Sequence, residues 1–158
     1  MELPKRKQIR CPYIDYSKTG VYFITFSTCE KRNYFWMCPG NKYNTPDEIE
    51  LNSTGTIVKE TLQAISEHYP YTSLDYYVIM PDHVHLLLRY LPSDDDMVSR
   101  KDITVIASQI KGIVTKRIGH SVWQKSFYDH VIRNDDDYLE TARYIQNNPI
   151  CWYYKHHA

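Results

Sequence analysis

The stretch Tyr76-Tyr77-Val78-Ile79-Met80-Pro81-Asp82-His83-Val84-His85-Leu86-Leu87-Leu88 decides how this chain folds. Two apolar, β-prone runs flank a Pro-Asp break, the pattern of two strands joined by a turn. A tight turn makes such strands antiparallel neighbours. The second strand opens on His-Val-His. Side chains alternate faces along a strand, so His83 and His85 point the same way while Val84, Leu86 and Leu88 fill the other face. The two histidine Cα atoms are expected about 7 Å apart, within reach of one metal ion. Core packing, with each ring satisfied by a backbone carbonyl, is the plain alternative. For a pair at i and i+2 directly after a turn, a metal or catalytic role weighs evenly against that packing. Spacing does not choose the metal, because imidazole suits several transition metals.

On the N-terminal side, Val21 to Ser27 reads as a central first strand. Cys38 to Asp47, with Pro39, Gly40, Asn41, Asn44 and Pro46, reads as a loop. From about Asn52 to Tyr69, Ile57, Val58, Leu62 and Ile65 recur at helical spacing, and Pro70 ends that helix. The hairpin strands then run from about Ser73 to Met80 and from His83 to Arg89. Leu91 to Arg100 is a polar, acidic loop in which Ser99 and Asp102 resemble a capping box. The helix they open carries Ile103, Ile106, Ile110, Ile113 and Val114 on one stripe and ends in Lys116, Arg117 and Gly119. A short fourth strand is expected at Tyr128 to Ile132. Asn134 followed by Asp135, Asp136 and Asp137 is an N-cap with a negative first turn. It opens a last helix, predicted to reach about Asn147 and to be stopped by Pro149. The order β-α-β-β-α-β-α predicts an α+β domain: a single antiparallel sheet with helices packed on it, ferredoxin-like or RRM-like.

The chain has 158 residues, enough for one domain with a real core, residues 1–20 forming an N-terminal arm. Hydrophobic content of 42% and charged content of 24% fit an ordinary globular protein. No apolar run approaches the roughly 20 residues of a membrane span. No apolar signal segment follows the charged N-terminus, so a cytoplasmic location is expected. Cys11, Cys29, Cys38 and Cys151 form no Cys-x-x-Cys pair, which speaks against a zinc knuckle or a thioredoxin-like site. Net charge is zero, so bulk charge gives no argument for nucleic acid. Its distribution is uneven: Lys5, Arg6, Lys7 and Arg10 make a basic arm, and Lys111, Lys116 and Arg117 lie near the end of a helix. The runs Asp94-Asp95-Asp96 and Asp135-Asp136-Asp137 balance them. Solvated surface is the ordinary reading of such runs. The 15 tyrosines could stack on bases, but most are expected to pack against the sheet.

In the last helix, Leu139, Ala142 and Ile145 form the expected apolar stripe. At about 100° per residue, Tyr144 points more than about 100° from the centre of that stripe. Asn148, one turn on, lies on the side of Tyr144. A tyrosine off the core face, with an amide one turn away, could face a site on the sheet; a surface tyrosine before a helix-ending Asn is the alternative.

Three blocks occur in order: Met80-Pro81-Asp82-His83-Val84-His85, then Trp123-Gln124-Lys125-Ser126-Phe127-Tyr128-Asp129-His130-Val131-Ile132-Arg133, then Asp137-Tyr138 with Tyr144-Ile145-Gln146-Asn147-Asn148-Pro149. Together they closely resemble the REP-associated tyrosine transposases, members of the His-hydrophobic-His single-strand nuclease superfamily, from about Val21 to Trp152. The resemblance implies that His83 and His85 bind a divalent metal, Mg²⁺ or Mn²⁺. It implies that Tyr144 is the nucleophile, and it puts Asn148 where related insertion-sequence transposases have a glutamine as third ligand. It also implies single-stranded or hairpin DNA as substrate, a 5′-phosphotyrosine intermediate, and action as a monomer or a homodimer. Lys5, Arg6, Lys7, Arg10, Lys111, Lys116 and Arg117 would contact phosphates; Arg133 would bind DNA beside the site, and Trp123 would lie there too unless, as a buried indole commonly does, it packs in the core. Three rival readings remain: a replication-initiator-type nicking enzyme of the same superfamily, a non-catalytic RRM-like binder, and a small zinc hydrolase, for which Asp82 and His130 are the nearest extra ligands.

Overall fold

The computed structural model describes residues 19–37, 49–92 and 100–157, the last two of these by backbone alone. The basic arm, Cys11, the whole loop from Cys38 to Asp47, the Asp94 run and Ser99 lie outside the described residues. In chain order the elements are β1 (Gly20–Ser27), α1 (Ser53–Gln63), α2 (Ile65–His68), β2 (Thr72–Ile79), β3 (His83–Tyr90), α3 (Ile103–Ile118), β4 (Tyr128–Val131) and α4 (Asp135–His157). The sheet order is β2-β3-β1-β4, with every neighbouring pair antiparallel. This is the ferredoxin-like α+β arrangement that the sequence predicts.

The decisive hairpin forms as read. Met80 N–H donates to the His83 carbonyl at 2.8 Å, closing the turn through Pro81 and Asp82. Its register sets β3 against β1, with Thr25 opposite His85 and Ile24 opposite Leu86. Alternation then sorts the sheet into two faces. Tyr22, Ile24, Phe26, Val84, Leu86 and Leu88 are buried on one face with Val58 and Leu62 of α1 and Ile106, Ile110 and Val114 of α3. Val21 and Leu87 face the other way and pack with Ala142 and Ile145 of α4. A bulge between Leu74 and Tyr76 in β2 brings Asp75 to the α4 side as well.

Local signals explain the helix ends. Asn52 caps α1 by accepting from Gly55 N–H at 2.8 Å. Gly55 is required there, because a Cβ would lie 2.3 Å from the Phe35 carbonyl oxygen. Asp102 caps α3 through Val105 N–H at 2.9 Å, and Gly119 ends it at φ 97°. Asn134 accepts from Asp137 N–H at 2.8 Å at the start of α4.

Five expectations change. The N-cap of α3 is Asp102 itself, not the partner three residues into a capping box opened by Ser99, because the helix starts only at Ile103. The helix predicted across Asn52 to Tyr69 breaks at Ala64 into α1 and α2. Ile113 is only half-buried, and Ala107 takes its place on the stripe of α3. Helix α4 does not stop at Pro149 but continues to His157. Proline removes one helical hydrogen bond, yet Trp152 beyond it packs edge-on to Trp36 at 4.8 Å, a contact that holds the last turns in place. Leu139 is 50% exposed and leaves the stripe; Tyr138 takes its place, with its hydroxyl donating to Asp75 at 2.7 Å.

Candidate active site

The α4 face of the sheet carries the histidine pair. His83 and His85 ring centroids are 4.6 Å apart. Thr25, opposite His85 on β1, holds Nδ1 of His85 through its hydroxyl at 2.7 Å. Phe23 stacks on the same ring at 5.2 Å. The His85 side chain is buried, and its Nε2 has no hydrogen-bond partner among the described residues. Burial first, then the neighbouring charges of His83 and Lys31, lowers the His85 pKa from 6.5 to about 3, so the ring is neutral at physiological pH. Nδ1 of His83 lies 2.7 Å from Asp82 Oδ1. A ring N–H donating to that carboxylate leaves Nε2 with its lone pair. For His85, an Nδ1–H donating to Thr25 does the same. A neutral ring whose second nitrogen is held by a carboxylate or hydroxyl is the form in which histidine ligates a metal.

Helix α4 is pinned across this face at its start. Tyr138 bonds Asp75, and Arg89 donates to the same carboxylate oxygen through Nη2 at 2.7 Å and Nε at 3.1 Å. With Ala142 and Ile145 facing the sheet, Tyr144 turns to the open side of the helix and is 55% exposed. Its ring still lies 5.3 Å from that of His85 and 6.2 Å from Phe23. Asn148, one turn on, donates from Nδ2 to the Tyr144 carbonyl at 3.3 Å, which leaves Oδ1 available. His83, Tyr144 and Asn148 line one cleft of about 780 Å³, together with His130, Arg143 and Lys155.

The structure therefore brings together four residues singled out from sequence: His83, His85, Tyr144 and Asn148. It keeps others apart. Lys111, Lys116 and Arg117 sit on α3, on the opposite face of the sheet. Lys111 donates to the Gln124 and Ser126 carbonyls at 2.7 and 3.0 Å, and Arg117 pairs with Glu60 at 2.6 Å. Trp123 is buried against Phe26 and Phe35 in the main core. The Arg133 side chain is exposed, while its backbone N–H donates to Asp137 at 2.9 Å. Lys5, Arg6, Lys7 and Arg10 lie outside the described residues. Among the described residues, no three His, Cys, Asp or Glu side chains converge on one point, so a third ligand drawn from those residues would be of another type, such as the Asn148 amide. A small zinc hydrolase with three such ligands finds no support in that geometry.

Sequence reasoning missed the cations of the cleft, Arg143 and Lys155, and the role of Asp137 as partner of His130. The heptad spacing of Asp137 and Tyr144 on one helix was the signal available. The helix-capping function of the aspartate run masked it.

No family model matches the chain. It is 30% identical over 167 residues to an uncharacterised protein of Haemophilus influenzae, across 93% of this chain and 89% of that one. It is 27% identical over 127 residues to a REP-associated tyrosine transposase of Escherichia coli, across 77% of this chain and 72% of that one. Among solved structures, a REP-associated tyrosine transposase bound to a REP hairpin matches with a TM-score of 0.58 at 23% identity, over 89% of this chain and 73% of that chain; this likeness is one of fold. Among the described residues, no helix is long and apolar enough to cross a membrane.

Proposed function

Because the chain belongs to the REP-associated tyrosine transposase family, we propose that it is a metal-dependent single-stranded DNA endonuclease and strand transferase with Tyr144 as nucleophile. The observation that carries this reading is the approach of the Tyr144 ring to within 5.3 Å of His85, beside His83, in one cleft.

Tyr144 Oη would attack a DNA phosphodiester in line, forming a 5′-phosphotyrosine bond and freeing a 3′-OH. The new bond keeps the energy of the old one, so rejoining needs no ATP. A free phenol has a pKa of about 10 and is a weak nucleophile until deprotonated. The donor set fits a divalent ion: an orphaned, buried Nε2 on His85 and a carboxylate behind His83. His83 and His85, with the Asn148 amide oxygen as third ligand, would hold Mn²⁺ or Mg²⁺. Such an ion, when bound, neutralises charge developing on the phosphate. Arg143 and Lys155 on the cleft wall would contact flanking phosphates, with Lys5, Arg6, Lys7 and Arg10 as a further basic segment. Single-stranded DNA beside a hairpin is the proposed substrate, a reading supported by the hairpin in the solved relative. Tyr144 reaches the histidines of its own chain, which supports action as a monomer. An RRM-like binder offers its bases an open sheet bearing aromatics; here α4 lies over that face, which speaks against the reading.

The test is incubation with labelled hairpin-tailed single-stranded DNA and Mn²⁺, followed by denaturing electrophoresis. A covalent protein–DNA adduct is expected from the wild type. His83→Ala with His85→Ala is expected to reduce it by at least about a hundredfold while DNA binding persists. Undiminished adduct in the double variant overturns the assignment of the metal pair.

A further inference from the structure

Two turns before Tyr144, on the same side of α4, Asp137 grips His130. The seven-residue interval places them about 10 Å apart along the helix axis, facing the same way. The Asp137 carboxylate lies 2.9 and 3.2 Å from Nε2 of His130 and accepts the Arg133 backbone N–H at 2.9 Å. The Arg133 N–H first, and then His130, hold this carboxyl below the usual carboxylate range, against the opposing effect of burial. It is therefore ionised and fixed. With Nε2–H donating to it, Nδ1 of His130 is left without a partner among the described residues.

His130 stands two strands from the histidine pair, with β1 between them. It pairs with Phe23 across β1 and β4, and strands of a sheet are about 4.8 Å apart. The Phe23 ring in turn touches both His85 and Tyr144. His130, Asp137, Tyr144 and His83 line the same cleft. Capping α4 does not call for this imidazole, because Asn134 already takes the Asp137 N–H and Arg133 supplies a backbone donor to the carboxylate. A partly exposed histidine, oriented by a carboxylate and facing a nucleophile across an open cleft, has the arrangement of a general acid–base group.

We infer that His130, oriented by Asp137, donates the proton to the departing 3′ oxygen when a strand is cleaved, and takes it back from the 3′-OH when the strand is rejoined. This rests on the tyrosine chemistry proposed above. In cleavage the Oη–P bond forms from the phenolate electron pair, the phenol proton having passed to solvent. The P–O3′ bond breaks, its pair stays on O3′, and the His130 Nδ1–H proton moves to that oxygen. The imidazole is then neutral and is reprotonated from solvent. The reverse step runs through the same atoms.

The test compares two single-stranded substrates, one with the natural 3′ oxygen at the scissile bond and one with a bridging 3′ sulfur. A thiolate leaves without needing a proton, since thiols ionise near pH 8.5 and alcohols far above. With the oxygen substrate, His130→Ala is expected to slow adduct formation by about 10²-fold or more, and Asp137→Asn by less. With the sulfur substrate, the difference between wild type and His130→Ala is expected to disappear. Equal wild-type and variant rates on the oxygen substrate overturn the inference. So does a defect of the same size on both substrates, the signature of a role in folding or phosphate binding. His130→Gln gives the same comparison should the alanine variant fold poorly. Absence of any wild-type adduct overturns the tyrosine reading itself, and with it this inference, so the two failures are distinguishable.

Discussion

The two faces of one four-stranded sheet are built from alternate residues of the same strands, yet they differ in kind. One face, under α1 and α3, buries Tyr22, Ile24, Phe26, Val84, Leu86 and Leu88 in a closed apolar core. The other, under α4, has a small apolar seam of Val21, Leu87, Ala142 and Ile145 flanked by half-buried Phe23, Val78 and Tyr138, and it also carries Thr25, His83 and His85. Residues one position apart in β3, such as His85 and Leu86, therefore belong to different problems. A slip of one residue in register would exchange the faces. The apolar face fixes the register, and the register delivers the histidines to the helix bearing Tyr144.

Substitutions should respect this division, and the largest effect on stability is expected on the closed face. Leu86→Ala should cost about 2–5 kcal/mol in urea unfolding, while protein folded below its melting temperature still forms the DNA adduct. A mild cost with lost chemistry would break the division. The next effect belongs to His85. Its folded pKa of about 3 lies below the unfolded value near 6.5, so between those values the unfolded chain binds more protons. Stability of the metal-free protein should rise with pH across that window, and fall as pH drops from 6.5 towards 3, by on the order of a few kcal/mol. His85→Phe should show a shallower dependence in urea titrations at successive pH values; parallel curves would place the ring outside the buried environment described. The smallest effect is expected at Leu139. Leu139→Gln should change stability by no more than about 0.5 kcal/mol. A loss of several kcal/mol would restore the stripe expected from periodicity and remove Tyr138 from it.

Much of this architecture was legible in the chain. The hairpin, the isoleucine stripe of α3 and the cap at Asn134 each carry a local signal, and the ferredoxin-like order follows from them. The sharing of one face by His83 and His85 needs only the period of a strand. The placement of Tyr144 and Asn148 on one side of α4 needs only the period of a helix. What local rules could not supply depends on partners distant in sequence. Pro149 is a helix breaker by itself, but Trp152 beyond it packs on Trp36. Leu139 is the more apolar residue, but the Tyr138 hydroxyl finds Asp75 on a bulged strand 63 positions away. The basic group on α3 is expected from sequence to contact phosphates, but which face of the sheet it occupies is set only when the strands pair. The His130–Asp137 contact likewise appears only once β4 lies beside β1 and α4 folds back over the sheet.

On the proposed reading, the open side of α4 presents a nucleophile to the histidine face, and the identity of that nucleophile can be read from the DNA adduct itself. The DNA adduct formed with hairpin-tailed single-stranded DNA and Mn²⁺ can be digested and its modified peptide sequenced by mass spectrometry, for the wild type, Tyr144→Phe and Tyr138→Phe. A phosphotyrosine is expected at Tyr144 in the wild type and in Tyr138→Phe, and no adduct in Tyr144→Phe despite native folding. A modified Tyr138 or Tyr128, or an adduct that persists in Tyr144→Phe, would contradict that reading.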